Sequence, residues 1–206
     1  MACSAPSPLP TITLALPDGS TVQARPVHPD DKPLLVSGFE RLSARSRSMR
    51  FQGAAERLDD RRLRYLTEVD HRDHVAWGVL DGTDAVAVGR WIRLEDRRRA
   101  DVAVTVLDDH QGRGIGTLLV QLLALSARHR EVTSLEFEML AENQPMIRVV
   151  ERLGGTVVHR GREALGSLEV ASVPPPPVVD GDPVALLDAA AQPRSGSNSN
   201  ANELTQ

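Results

Sequence analysis

The chain has 206 residues, with 24 Lys and Arg against 28 Asp and Glu, a formal net charge of −4 at pH 7. That length predicts one domain with a sizeable core and room for tails, and the weak acidity excludes bulk-charge binding to nucleic acid or an anionic membrane. Cys3 is the only cysteine, so no disulfide can form within the chain, as suits a reducing cytoplasm.

Residues 1–10 are rich in Pro, Ser and Ala and predict a disordered N-terminus. They lack both the basic start and the apolar run of a secretory signal. TITLALPDGSTVQARPV then alternates around a DG turn and reads as a β-hairpin. HPDD carries the proline and acids that start a helix, expected to run to about Arg41. In LDDRRLRYLTEV the residues Leu58, Leu63, Leu66 and Val69 share the face of a second helix. Strands follow at 74–82, 85–94 and 99–107, with links short enough to make them antiparallel neighbours.

GIGTLLVQLLALSARHR predicts a long helix, apolar on most of its surface, with Arg128, His129 and Arg130 at the dipole-negative end. Its most apolar run is about half of what a bilayer needs, so no membrane span is expected and the protein reads as soluble and cytoplasmic. SLEFEML is a strand, and NQPMIRVVERLGG a helix opened by asparagine and proline and closed by glycines. TVVHRGREA, with a possible partner in GSLEVAS, finishes the sheet. The fold class is therefore α/β (α+β): a mixed, mostly antiparallel sheet flanked by helices, spanning 11–171. From Ser172, PPPP and QPRSGSNSNANE predict a Pro-rich disordered C-terminal tail over 172–206.

HQGRGIG, residues 110–116, sits between a Val/Ala/Leu strand and the long helix. Its glycines leave backbone N–H groups open to a ligand, and the helix N-terminus adds partial positive charge. Arg113 supplies a full charge, and a phosphate or pyrophosphate is the natural guest. A dinucleotide fold wants GxGxxG, whereas Gly112, Gly114 and Gly116 read GxGxG. Glu136 lies early in its strand, where a ribose-binding acid would come at the end, and the antiparallel strands upstream do not suit a doubly wound sheet. No Gly-Lys-Ser/Thr occurs, which excludes a P-loop. A plain glycine turn with no ligand remains the alternative.

Gln111, Gly114 and Gly116 form Q-x-x-G-x-G, which resembles the acetyl-CoA pyrophosphate loop of the GNAT superfamily of N-acetyltransferases. AENQPMIRVVERLGG is similar to the second cofactor segment, N-x-x-M/A-I-x-x-x-E-x-x-G. The resemblance runs from about Arg25 to Gly155. FERLSARSRSMRF, VDHRDHVAWGVL and VAVGRWIRL narrow it to the catalytic domain of the bacterial Pat-type protein lysine acetyltransferases. It implies that the backbone of Val104, Thr105 and Val106 pairs with pantetheine, helped by a bulge that splays two central strands. It also implies that Gln111, Gly112, Arg113, Gly114, Ile115, Gly116 and Thr117 hold the pyrophosphate and that Asn143 bonds the pantetheine or caps its helix. Regulation by a fused domain, known in some of that group, is not carried over.

Acetyl transfer needs an orienting site, a base for an amine of pKa about 10.4, and a donor for the thioester oxygen. The Pat-type pattern has its base ten positions before the motif glutamine, which here is Asp101, with Glu138 as second choice. It is one methylene shorter than glutamate and is expected to work through a bridging water. Many GNAT enzymes place an acidic tyrosine before E-x-x-G, but Val149 and Val150 stand there and Tyr65 is the only tyrosine. Gly155 occupies a position that is usually aromatic.

Phe39, Arg47, Arg50 and Phe51 fall where the resembled fold meets its acceptor. Arg97, Arg98 and Arg99 lie roughly 25 Å from the pyrophosphate and are read as a solvated turn. Arg152 is read as a solvated helix arginine. Trp77 and Trp91 read as core or groove wall. His71 and His74 lack a third ligand, so no metal is assigned. The expected activity is acetyl-CoA-dependent N-acetylation of an amine, with a protein lysine ahead of a small-molecule amine acceptor. A non-catalytic acyl-CoA-sensing module remains the alternative, and a dinucleotide-binding oxidoreductase is a more distant one.

Overall fold

A computed structural model describes residues 9–51 and 57–192. Among them, nine strands form one sheet in the order β7-β8-β6-β5-β4-β3-β2-β1-β9. The first hairpin, β1 (Ile12–Ala15) and β2 (Thr21–Pro26), turns at Asp18 and Gly19. α1 (Lys32–Arg41) follows a single 3-10 turn in which His28 and Asp31 cap each other's backbone. Then come α2 (Ala44–Phe51) and α3 (Asp60–Thr67), the latter capped by Asp59. The sequence predicts two helices here and the structure has three. α2, ARSRSMRF, carries almost no apolar periodicity, which is why the pattern hides it.

β3 (His74–Asp81), β4 (Asp84–Arg93) and β5 (Arg99–Val106) are the predicted antiparallel meander. α4 (Ile115–His129) crosses to β6 (Ser134–Leu140), which runs parallel to β5, and α5 (Gln144–Arg152) leads to the hairpin β7 (Thr156–Arg160) and β8 (Glu163–Glu169).

Alternation along β4 assigns the two faces of the sheet. Trp91 donates its indole N–H to Ser126 on α4, and a Cβ added at Gly89 would touch Leu119 and Leu123 of α4. Arg90 points the other way and donates to the Leu66 carbonyl on α3. The main core, with Trp77, Trp91, Leu119, Leu122 and Leu123 almost fully buried, therefore lies under α4. Helices α1 and α3 cover the opposite face.

The segment from Ser172 departs from the predicted disordered tail over 178–190. β9 (Val178–Asp180) pairs with β1, and α6 (Pro183–Ala190) packs on α4 and β2. Asp182 caps α6 by accepting from the Val184 and Ala185 N–H groups, Leu187 is buried, and Asp188 pairs with His129 and Arg130. Averaging this stretch with its Pro- and Ser/Asn-rich flanks conceals a short capped helix. Residues 1–8 and 193–206, which carry most of both predicted tails, lie outside the described residues. No helix among the described residues is long and apolar enough to cross a membrane.

Candidate active site

Parallel pairing between β5 and β6 lasts three rungs: Arg99 with Ser134, Ala100 with Leu135, Asp101 with Glu136. Beyond them β6 stays with β8 while β5 stays with β4, so the two central strands part. The resemblance implied a bulge in β5 as the cause. The β4–β5 register instead runs without a shift from Ala87–Val106 to Arg93–Ala100, and the opening comes from the end of the β5–β6 ladder.

The freed edge has a defined polarity. Leu107 donates its N–H to Val86 on β4, and in an antiparallel ladder the hydrogen-bonded rungs alternate. Odd residues of β5 thus bond β4, whereas Val102, Val104 and Val106 turn their N–H and C=O groups toward the gap. The Gln111 side-chain amide donates to the Val106 carbonyl at 3.1 Å, which confirms that orientation. A groove of about 960 Å³ occupies the gap.

The loop closes one end of this groove. Gly112 (φ +78°) and Gly114 (φ +93°) adopt left-handed backbone, and a Cβ at Gly114 would lie 2.8 Å from Pro17 in the first hairpin. Gly114 is therefore required twice, by its dihedral and by that packing. It caps α4 without a side chain, no acid occupies the first turn of α4, and the first N–H groups of the helix face the groove end. Asp101, Val104, Thr105, Val106, Gln111, Gly112, Gly114, Ile115, Gly116, Thr117 and Asn143 all line the groove. Asn143 accepts from the Met146 N–H as the cap of α5, so it serves as cap while facing the groove.

Arg113 is the exception. Its guanidinium is 2.6 Å from Asp81 and reaches Ser20, and it does not line the groove. The loop's positive charge comes instead from α5 and α2. Arg148 and Arg152, one helical turn apart, line the groove with Arg45. The i, i+4 spacing of Arg148 and Arg152 was the signal in the sequence, since it puts both on one face.

Asp101, Ala103 and Thr105 alternate with the core residues Ala100 and Val102, so they face the α1–α3 side of the sheet. Asp101 is half-buried and Glu138 exposed, both in the groove. Glu136, beside Asp101, is held by Arg99 at 3.0 Å and by the Ser134 hydroxyl at 2.9 Å. Arg97 pairs with Asp73.

α2 roofs β5 and contributes Arg45, Ser46 and Met49 to the groove. Asp108 holds it there: its carboxylate accepts from the Ser43 N–H (2.9 Å), the Ser43 hydroxyl (3.0 Å) and the Ser46 hydroxyl (2.7 Å). Partial burial works to raise the Asp108 pKa, but these donors outweigh it and keep the carboxyl below its ordinary value. Of the acceptor-side residues expected from the sequence, Phe39 and Arg47 do not line the groove. Phe39 is buried beneath the Arg47 guanidinium, which bonds the Leu42 and Glu40 carbonyls. The side chains of Arg50 and Phe51 lie outside the described residues.

Tyr65 sits exposed on α3 beside His74 and does not line the groove. Gly155 has a physical reason to lack a side chain, because a Cβ there would meet Val150 at 2.6 Å and the Ser167 carbonyl at 2.8 Å. His71 is buried with its Nε2 against the Val27 carbonyl.

A sheet split between two parallel strands, with a glycine loop and a helix N-terminus at its mouth, makes a groove suited to an extended ligand that bears phosphate. The chain belongs to the acetyltransferase (GNAT) domain family, whose pattern matches residues 22–156. It is similar to acetyltransferase Pat of Mycolicibacterium smegmatis, 34% identical over 174 residues, which cover 82% of this chain and 51% of that protein. The chain thus spans about half the length of that curated relative. The GNAT domain of S. lividans PAT superposes with a TM-score of 0.73 at 29% identity, covering 77% of this chain and 96% of that one. A putative acetyltransferase from Salmonella typhimurium, solved with its cofactor acetyl-CoA, shares the fold at 18% identity and a TM-score of 0.57, covering 72% of this chain and 94% of that one.

Proposed function

We propose that this chain transfers the acetyl group of acetyl-CoA to an amine, with a protein lysine ε-amine as acceptor. The observation that carries this reading is the free edge of β5, which ends in the glycine loop at one side and carries Asp101 at the other. The residues fit the carrier. Loop N–H groups from Gly112 to Thr117 suit a pyrophosphate, Arg148 and Arg152 suit further phosphate charge, and the Val102, Val104 and Val106 backbone suits the amides of pantetheine.

Acetyl-CoA, when bound, supplies an acyl group already activated as a thioester. The chain's part is to align, deprotonate and stabilise. Asp101 takes a proton from the incoming ammonium through a water, since its short side chain needs that reach. The groove-facing N–H groups of β5 donate to the oxygen that gains negative charge. As the N–C bond forms and the C–S bond breaks, the leaving thiolate takes its proton from solvent or from the amine, because no tyrosine lines the groove.

The sequence resemblance to the Pat-type protein lysine acetyltransferases supports the protein acceptor, and Asp101 and Glu138 both line the groove where an amine would enter. The test offers acetyl-CoA with a panel of lysine-bearing proteins and small amines, and follows acetylated product by mass. Acetyl-lysine on protein is the expected result. Acetylation of small amines alone would overturn the acceptor assignment, and binding without turnover on any acceptor would leave an acyl-CoA sensor.

A further inference from the structure

Beyond Asp101 the sheet continues through β6, β8 and β7, and the strand registers fix which residues share a face there. Asp101 stands opposite Glu136, Glu136 opposite Ser167, and Ser167 opposite Thr156, so one rung crosses four strands. Two residues along β6, the next rung on that face holds Glu138, Leu165 and Val158. The intervening residues point the other way. Leu135, Phe137, Met139 and Leu168 are buried in the main core, and a Cβ added at Gly166 would touch Val150 of α5. α5 packs on β7 and β8 from that buried side, while α1 packs on β4 and α2 on β5. The face shared with Asp101 is open: Glu138, Thr156, Glu163 and Glu169 are exposed, and Val158 is 55% exposed.

The chemistry of this face is not that of an evenly solvated surface. Val158 and the half-buried Leu165 are cross-strand neighbours and make an apolar pair at its centre. Glu163 and Glu169 stand at either end of β8, and Glu138 lies beside the pair on β6. None of these three carboxylates pairs with a cation among the described residues. Glu136, by contrast, is held by Arg99, and Arg160 is the other cation on this face. The surplus is negative. The face is also continuous with the groove, because Glu138 belongs to both.

We infer that this open face docks the polypeptide around the acceptor lysine and selects segments that carry further arginine or lysine beside it. This rests on the lysine acceptor proposed above. A lysine whose amine meets Asp101 has its chain neighbours over β6, β8 and β7. Adjacent strands lie about 4.8 Å apart, so β7 is roughly 14 Å from β5, the reach of about four extended residues. Cations within that distance of the lysine meet Glu138, Glu163 or Glu169, and an apolar residue among them covers Val158 and Leu165. Each charged contact is exposed, so each counts for little and weakens with salt; selectivity comes from their sum. A small amine has nothing to place on this face.

Peptides with a single lysine and a blocked N-terminus test this. They differ only in the second to fourth positions on both sides of the lysine, which hold arginine, serine or aspartate. With the full chain and acetyl-CoA, kcat/KM is expected to be roughly tenfold higher for arginine flanks than for serine, and lowest for aspartate, with the spread shrinking as salt rises. Combining Glu163→Gln with Glu169→Gln is expected to remove most of that advantage. The same variant should leave the serine peptide and the Kd of CoA within about twofold of the parent. Val158→Arg puts a cation at the centre of the face and is expected to shift the preference toward aspartate flanks. Thermal melting confirms that both variants fold.

Equal kcat/KM for the three peptides overturns the inference and leaves lysine acetylation standing. An arginine preference that survives in both variants overturns the assignment to this face. If CoA binds and no peptide is acetylated, the lysine acceptor falls and the docking face falls with it.

Discussion

Asp108 accepts three hydrogen bonds from Ser43 and Ser46, and so ties the start of α2 to the turn that enters the glycine loop. The Asp108 carboxylate thus joins two walls of the groove. One wall carries the glycine loop, and the other brings Arg45 and Met49 over β5.

Replacing Asp108 by alanine should therefore act on the acceptor more than on the carrier. KM for the acceptor is expected to rise about tenfold while the Kd of CoA changes less than threefold. Steady-state kinetics with calorimetry check this. A matching loss of CoA affinity would mean that Asp108 shapes the loop instead.

Gly114 should tolerate no side chain. Gly114→Ala places a Cβ against Pro17 on a backbone that already costs about 1–2 kcal/mol for an L-residue. Gly112→Ala meets no atom within 4 Å and carries only the dihedral cost. Thermal melting is expected to rank Gly114→Ala well below Gly112→Ala, with CoA affinity falling in the same order. Equal melting temperatures would remove the role of Pro17.

The cations divide by geometry. Arg113→Ala breaks the pair with Asp81 and should leave the Kd of CoA within about twofold, whereas Arg148→Ala should raise it roughly tenfold in a salt-dependent way. Titration at two salt concentrations decides it. A large effect of Arg113→Ala alone would reverse the assignment.

His74 gives the fold a pH dependence. Burial, and then the neighbouring Arg90 charge, lower its pKa to about 4 from about 6.5 in the unfolded chain. Between these values the unfolded chain binds a proton that the folded chain refuses. Stability is thus complete above about pH 6.5 and falls as the pH drops toward 4. His71 shifts the same way, chiefly through burial. The melting temperature is expected to be several degrees lower at pH 5 than at pH 7.5, with a shallower slope in His74→Gln. A flat profile would contradict it.

Much of this was legible in the chain. Strict alternation and short turns placed β3, β4 and β5, and Gly-rich spacing after β5 placed the loop, because both patterns report backbone geometry directly. Side-chain direction was not legible. Arg113 lies inside the loop motif yet turns to Asp81, a partner 32 residues away. α2 is polar on nearly every side and is held by Asp108 from 65 residues away, so no local period reveals it. The groove's cause was missed for a similar reason, since where β6 leaves β5 depends on its pairing with β8.

In the proposed function, the β5 edge and Asp101 together make the acetyl-transfer site. Release of free CoA thiol from acetyl-CoA, with a lysine-bearing protein present, tests it most directly when the parent chain is compared with Asp101→Asn. Acceptor-dependent release is expected from the parent chain, with a loss of at least about 100-fold in Asp101→Asn and unchanged CoA affinity. Release at the parent rate by Asp101→Asn, or no acceptor-dependent release by the parent chain, would contradict it.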